Sequence, residues 1–133
     1  MIVDTSALIA ILRNEPEGDS FVQSLVDTEQ ARMSAVTYVE AAAVIDRLGD
    51  PVLSRRLDEL LAILEIDIVP FDADQARIAR AAYADFGRGS GHRAHLNVGD
   101  CCAYALAMSE GEALLFKGDD FPHTDVHPAP RVR

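Results

Sequence analysis

The chain begins MIVDTSALIAIL (residues 1–12), with a single carboxylate between two apolar segments. IVD predicts a short buried strand, and the apolar spacing from Thr5 onward predicts a helix. Asp4 is the only charged side chain before Arg13. Burying an unpaired carboxylate is costly, so such a group usually has a partner, a metal ion or an altered pKa. The rest of the sequence must indicate what the Asp4 carboxylate binds.

Strand and helix patterns alternate along the remainder of the chain. Further strands are predicted at residues 31–35, 66–71 and 112–118, and helices at 5–15, 16–29, 35–49, 51–65, 72–87 and 98–111. The tail from His127 is expected to fray in part. Strands that alternate with helices predict an α/β fold, here a three-layer α/β/α sandwich around a mainly parallel sheet.

Length and composition narrow the class of protein. With 133 residues, 49% of them apolar, the chain suits one domain over residues 1–133 and is not a disordered protein. No segment approaches the roughly 20 apolar residues of a membrane span, and no basic signal-peptide region is present, so we expect a cytoplasmic protein with no membrane partner. Cys101 and Cys102 lack metal-ligand spacing and are expected to be reduced core residues.

The charge distribution is uneven. A formal net charge of −10 argues against a general nucleic-acid binder. The segment GRGSGHRAHLN (residues 87–97) nevertheless contains Arg88, His92, Arg93 and His95 and no acid. This segment is either a flexible, solvated connection or a patch that contacts phosphates. The two histidines lack a third ligand for a zinc site.

Glu40 and Asp100 are isolated in the same way as Asp4. Glu40 is the only charged residue within 34–45, and its helical stripe otherwise holds apolar residues, namely Val36, Val39 and Ala43. Asp100 is the only charged residue within 94–109, counting histidine as neutral. Taken singly, Asp4 and Asp100 could be helix caps, and Glu40 a paired core acid or a solvent-facing one.

Asp119 and Asp120 follow the last predicted strand, where either could be a turn residue. Ligands of a parallel α/β sheet collect beyond the carboxyl ends of its strands, and both this pair and Asp4 stand at such ends. A set of carboxylates without cysteine or histidine ligands suits Mg²⁺ or Mn²⁺. The four acidic positions together therefore predict a divalent metal site.

Four segments in this order resemble the PIN-domain ribonucleases, in particular the VapC toxins of bacterial toxin–antitoxin pairs. They are MIVDTSALIAIL, the lone Glu40, LNVGDCCAYALA (residues 96–107) and LLFKGDDFPHTDV (residues 114–126). The resemblance covers essentially the whole chain. It implies an α/β/α endoribonuclease that uses Mg²⁺ or Mn²⁺ to cut single-stranded RNA and leaves a 5′-phosphate and a 3′-hydroxyl.

The resemblance also implies the site residues. Asp4, Glu40 and Asp100 match three acids of the family's site, and Asp120, directly before a phenylalanine, is favoured over Asp119 as the fourth. Asp125 matches a recurrent position whose role stays open. The candidates for contacts to RNA are Thr5, Ser6, Arg88, His92, Arg93 and Lys117. The two hydroxyls could equally cap the first helix.

The partners implied are RNA, a VapB-like antitoxin that inserts an arginine among the carboxylates, and a second copy of the chain. The homodimer could be formed through the apolar segment LDELLAILEI (residues 57–66), which could equally pack in the core of the chain. Three rival functions are a housekeeping RNA-processing nuclease without an antitoxin, a non-catalytic binding module, and a haloacid-dehalogenase-like phosphatase. The phosphatase motif needs a second aspartate where this chain has Ser6. All four acidic positions are occupied, which gives no sign of an inactive module.

Overall fold

A four-stranded parallel sheet lies between two groups of helices in the computed structural model, which describes residues 1–131. The strands are β1 (Ile2–Val3), β2 (Ala31–Ser34), β3 (Ile66–Val69) and β4 (Leu114–Leu115), in the order β3-β2-β1-β4. In the register, Ile2 lies opposite both Arg32 and Leu114. The prediction of a mainly parallel sheet is confirmed.

The six predicted helices are present, with shorter bounds. They are α1 (Thr5–Leu12), α2 (Gly18–Val26), α3 (Ala35–Arg47), α4 (Pro51–Ile63), α5 (Ala73–Phe86) and α6 (Val98–Glu110), and a 3₁₀ turn follows at Phe121–His123. A side-chain oxygen of Asp, Ser or Asn caps each helix except α2. The first helix ends before the predicted residue 15 because Asn14 adopts a left-handed conformation, with φ of 54°.

Successive strand residues point to opposite faces, so the sheet is buried on both sides. Ile2 and Leu114 pack against α5 and α6 in one core, and the residues that follow them, Val3 and Leu115, pack against α1, α2 and α4 in the other. This confirms the three-layer α/β/α prediction. Cys101 and Cys102 are buried free thiols, as expected.

The tail is more ordered than the sequence predicts. The Leu114 N–H donates to the His127 carbonyl and the Ala129 N–H to the Leu114 carbonyl, both at 2.8 Å. Ala129 is buried in the core. The prediction of fraying is therefore wrong for residues 127–130, because this segment pairs with the free edge of β4. For Val132 and Arg133 the prediction lies outside the described residues.

Across residues 1–131, no helix has the length and apolar character needed to cross a membrane.

Candidate active site

Asp4 stands where β1 ends and α1 begins, and its two carboxylate oxygens have different surroundings. Oδ2 accepts hydrogen bonds from the backbone N–H of Ser6 at 3.0 Å and from its hydroxyl at 2.6 Å. Oδ1 is buried and has no hydrogen-bond partner among the described residues. The capping interpretation is thus correct for one oxygen, and the other remains available to a ligand.

Asp4 is 3% exposed. Burial raises the pKa of Asp4 despite the hydrogen bonds from Ser6, and the charge of Glu40 adds to the rise. A cation bound at this position would offset the cost of burying the Asp4 charge and the repulsion from Glu40.

Glu40 reaches the same region from α3. The hydroxyl of Thr5 donates to Glu40 Oε1 at 2.9 Å, so two residues 35 positions apart are joined at the carboxyl end of β1. The Thr5 hydroxyl also lies 3.3 Å from the Thr37 carbonyl oxygen. Thr5 therefore orients a carboxylate of the site.

The helical stripe that holds Glu40 is not the buried face of α3. Thr37, Ala41 and Ile45 form the buried face of α3, whereas Val39 is 64% exposed. The buried positions recur every four residues from Thr37, which places Glu40 at the boundary of the core. Glu40 as a whole is half-buried.

Asp100 approaches from the first turn of α6, where it forms a reciprocal pair with Asn97. The Asp100 N–H donates to Asn97 Oδ1 at 2.7 Å, and Asp100 Oδ2 accepts the Asn97 N–H at 3.0 Å. The helix cap is therefore Asn97, and Asp100 is the third residue of a capping box. This pairing holds the Asp100 carboxylate at the start of the helix.

The four predicted acids form one electrostatic cluster. Burial raises the pKa of Asp100 to about 6. The neighbouring carboxylates contribute to this rise in pKa, in the order Asp4, Glu40 and Asp120. The residues come from four separate segments, which the packing of α1, α3 and α6 brings together.

Asp120 and Asp119 have different surroundings. The charge of Asp120 acts on the pKa of Asp100. Asp119 instead lines a pocket with Lys117 and Arg131. Asp120 therefore stays the predicted fourth acid of the site, with Asp119 as the alternative.

The residue set fits a hard divalent cation. The donors are carboxylate oxygens, and Asp4 Oδ1 is a buried acceptor that has no partner in the described part of the chain. Burial raises the pKa of the Cys101 thiol to about 12, with a smaller contribution from Asp100, so the thiol remains protonated. No three His, Cys, Asp or Glu side chains within residues 1–131 are already close enough to enclose a metal. Binding one would require the acids to close around it.

Besides Thr5, two more of the predicted RNA contacts have structural roles next to the cluster. The Ser6 hydroxyl donates to Asp4 and accepts the Lys117 backbone N–H at 2.9 Å. The Lys117 ammonium pairs with Glu15 at 3.1 Å and Glu17 at 3.2 Å, which raises its pKa. The backbone of Lys117 thus holds the Ser6 hydroxyl in place. Its ammonium group pairs with Glu15 and Glu17, which lie outside the four predicted acids.

The basic segment 87–97 is ordered, which argues against a flexible connection. The Arg88 N–H donates to the Leu96 carbonyl at 3.0 Å, and the His92 ring packs edge-on against Phe86 at 5.0 Å. His92 Nδ1 also accepts a backbone N–H, from Ala94. Arg88 and Arg93 are exposed, and neither forms an ion pair with a described residue. Their charges are available to an anionic ligand.

Sequence reasoning missed two features of this region. Gly99 lies directly against the Glu40 carboxylate, and its only sequence signal is a glycine in the first turn of a helix. Asp125 accepts a hydrogen bond from the Tyr104 hydroxyl at 2.5 Å, which ties the segment after β4 to α6. Asp125 is therefore a tether for that segment.

Comparisons with known proteins identify the family of this chain and its fold. The sequence model of a family described as PIN domain matches residues 1–126. Ribonuclease VapC28 of Mycobacterium tuberculosis is 54% identical over 129 residues, which span 97% of both chains. The crystal structure of VapC20 of the same organism, a sarcin-ricin loop cleaving toxin, has a TM-score of 0.77 at 13% identity and covers 98% of both chains. VapBC2 from Rickettsia felis, bound to a DNA fragment of its promoter, has a TM-score of 0.70 at 13% identity and covers 96% of this chain and 94% of that one.

Proposed function

Because the chain belongs to the PIN domain family and, within it, to the VapC ribonucleases, we propose that it is a metal-dependent endoribonuclease that acts as the toxin of a toxin–antitoxin pair. The family resemblance seen in the sequence is thereby confirmed. One observation carries the proposal: Asp4 Oδ1 is buried without a partner among residues 1–131, next to the other carboxylates whose charges act on Asp100.

The cofactor we propose is Mg²⁺ or Mn²⁺, held by Asp4 and Asp100, with Glu40 and Asp120 completing the acidic cluster. When bound, such an ion lowers the pKa of a coordinated water and offsets negative charge on a phosphodiester. Thr5 and Ser6 hold the carboxylates in orientation through their hydroxyl groups. The capping box does the same for Asp100. We expect cleavage to leave a 5′-phosphate and a 3′-hydroxyl.

The RNA would be held by a small local surface, since the chain as a whole carries a formal charge of −10. Arg88 and Arg93 provide exposed positive charge on an ordered loop. Lys117 is a weaker candidate because its ammonium is already paired with Glu15 and Glu17. We therefore assign the phosphate contacts of this surface to the loop arginines.

The partner we propose is a VapB-like antitoxin, which would block the acidic cluster with an arginine. An acidic protein with clustered carboxylates suits a basic partner segment. A housekeeping nuclease with the same site would lack such a partner. Expression of the wild-type chain alone should arrest growth of a bacterial host if it is a toxin, and co-expression of the antitoxin should restore it.

A homodimer is the remaining partner proposal, and α4 is a poor basis for it. Leu57 and Leu61 of that helix are buried in the core, and its exposed large apolar side chains, Val52 at 48% and Ile63 at 77%, lie at opposite ends of the helix. Val39 and Val98 are apolar side chains next to the acidic cluster, each 64% exposed. We place the dimer contact on these two valines, because exposed apolar side chains beside a site favour an interface.

The decisive experiment is cleavage of an end-labelled, mostly single-stranded RNA in Mg²⁺, Mn²⁺ or EDTA. Asp4→Asn should lose nearly all activity, about 100-fold or more, while the amide still accepts the Ser6 N–H and keeps the helix cap. Asp50→Asn is a matched control, since Asp50 caps α4 and accepts the Val52 N–H at 2.9 Å in the same way. Cleavage that persists in EDTA or in Asp4→Asn would refute the proposed metal site.

A further inference from the structure

Gly99 occupies a position where a side chain would collide with the Glu40 carboxylate. A Cβ built on Gly99 would lie 2.6 Å from Glu40 Cδ and 2.8 Å from Oε1, and closer still to Oε2. Real Cβ atoms essentially never approach other heavy atoms within 3.0 Å. The Glu40 carboxylate therefore lies in the space that the missing side chain leaves.

The backbone does not require glycine at this position. Gly99 is a helical residue of α6 and does not adopt the left-handed conformation that favours glycine elsewhere in the chain. Alanine is the better helix former, and glycine within a helix is destabilising. The helix itself thus gains nothing from a glycine at position 99, and the reason for it lies in the neighbouring side chain.

The Glu40 carboxylate is held from two sides. The Thr5 hydroxyl donates to Oε1 at 2.9 Å from α1, and the bare backbone of Gly99 admits the carboxylate against the first turn of α6. The next residue after Gly99 is Asp100, whose carboxylate is held at the start of α6 by its reciprocal hydrogen bonds with Asn97. The room at Gly99 therefore determines how closely two acids of the cluster approach each other.

We propose that Gly99 is a positioning residue of the active site, which seats the Glu40 carboxylate beside Asp100 by presenting no side chain. The inference rests on the proposed function, because it assigns Gly99 a role in the metal site of that nuclease. It also predicts a separation of stability from activity, since the atoms that a new methyl group would meet are the end of a flexible side chain.

Gly99→Ala should fold normally, with a melting temperature equal to or above that of the wild type. The Glu40 side chain is half-buried, so it can rotate toward solvent to admit the methyl group. Its carboxylate would then leave the cluster. We expect Mn²⁺ affinity and the cleavage rate to fall by about 10- to 100-fold, the range typical of residues that orient metal ligands.

The test compares four proteins: the wild type, Gly99→Ala, Glu40→Ala and the double variant. Mn²⁺ binding is measured by isothermal titration calorimetry, cleavage with the labelled RNA, and the melting temperature without metal. We expect Gly99→Ala to weaken Mn²⁺ binding when Glu40 is present and to have no effect on it in the Glu40→Ala background. Such non-additivity is the signature of one residue acting through the other.

Three results would overturn the inference. They are wild-type Mn²⁺ affinity in Gly99→Ala, an equal loss in both backgrounds, and a lowered melting temperature, which would indicate an ordinary structural role. Mn²⁺ binding and RNA cleavage by the wild-type protein test the proposed function separately from the role of Gly99. If it neither binds Mn²⁺ nor cleaves RNA, the proposed function fails together with this inference. If it does both and Gly99→Ala matches it, only the role of Gly99 is refuted.

Discussion

Replacing Asp100 with asparagine should stabilise the metal-free protein while removing its activity. In the folded state, burial and the neighbouring acids raise the pKa of Asp100 to about 6, so ionising it at neutral pH opposes folding. An asparagine carries no charge and can still accept the Asn97 N–H through its side-chain oxygen. The helix cap is therefore preserved and the repulsion is removed.

The size of the effect follows from the pKa. Each pKa unit corresponds to about 1.4 kcal/mol, so a rise from 3.8 to about 6 corresponds to roughly 3 kcal/mol. Asp100 is only half-buried, and solvent screening reduces this figure. We expect Asp100→Asn to raise the free energy of unfolding by about 1–2 kcal/mol at pH 7.5, which is several degrees in melting temperature.

The stability that Asp100→Asn gains over the wild type should increase with pH. Because the folded-state pKa of Asp100 is raised, the wild-type carboxyl favours folding at low pH, and this contribution is lost as the pH rises from about 4 through about 6. The advantage of Asp100→Asn should thus be full above pH 6 and vanish near pH 4. Excess Mn²⁺ should reverse the order, since only the wild type would be stabilised by binding it.

Urea denaturation in EDTA at pH 4, 5.5 and 7.5 measures this directly, with Asp50→Asn as a control that leaves the cluster intact. Equal stability of the wild type and Asp100→Asn at pH 7.5 would refute the reasoning. A gain that is the same at all three pH values would also refute it, because the cause would then not be the titration of Asp100.

Two further substitutions distinguish residues that affect RNA cleavage from residues that affect only the stability of the fold. Thr5→Val removes the hydroxyl that donates to Glu40 and should lower the cleavage rate by about tenfold with a normal unfolding transition; an unchanged rate would show that Glu40 needs no such support. Tyr104→Phe removes the hydrogen bond to Asp125 and should lower the free energy of unfolding by about 1 kcal/mol, with RNA cleavage at the wild-type rate. Loss of cleavage in a folded Tyr104→Phe protein would instead place Asp125 in the site.

Local patterns explain what could be predicted from the sequence. Apolar periodicity and capping residues act within about four positions of each other, so IVD followed by TSALIAIL indicated a strand, an aspartate and a helix without reference to the rest of the chain. The isolation of Asp4, Glu40 and Asp100 in apolar segments likewise marked them as unusual. With Asp120 after the last strand they make four carboxylates without a cysteine or histidine ligand, a set that indicated a hard divalent metal.

The relations between distant segments depended on packing. Thr5 meets Glu40 across 35 residues and Ser6 meets Lys117 across 111, and no local pattern encodes either contact. For the same reason, the sequence did not reveal that the tail pairs with β4 or that Lys117 is occupied by Glu15 and Glu17.

Gly99 illustrates this limit most clearly. Its helical position is visible in the sequence, but its importance comes from a carboxylate on another helix that fills the place of its side chain. Residue type and short-range spacing thus specify the elements and name the acids of the site. How closely those acids approach one another, and which neighbours hold them there, depends on the packing of α1, α3 and α6 around the end of the sheet.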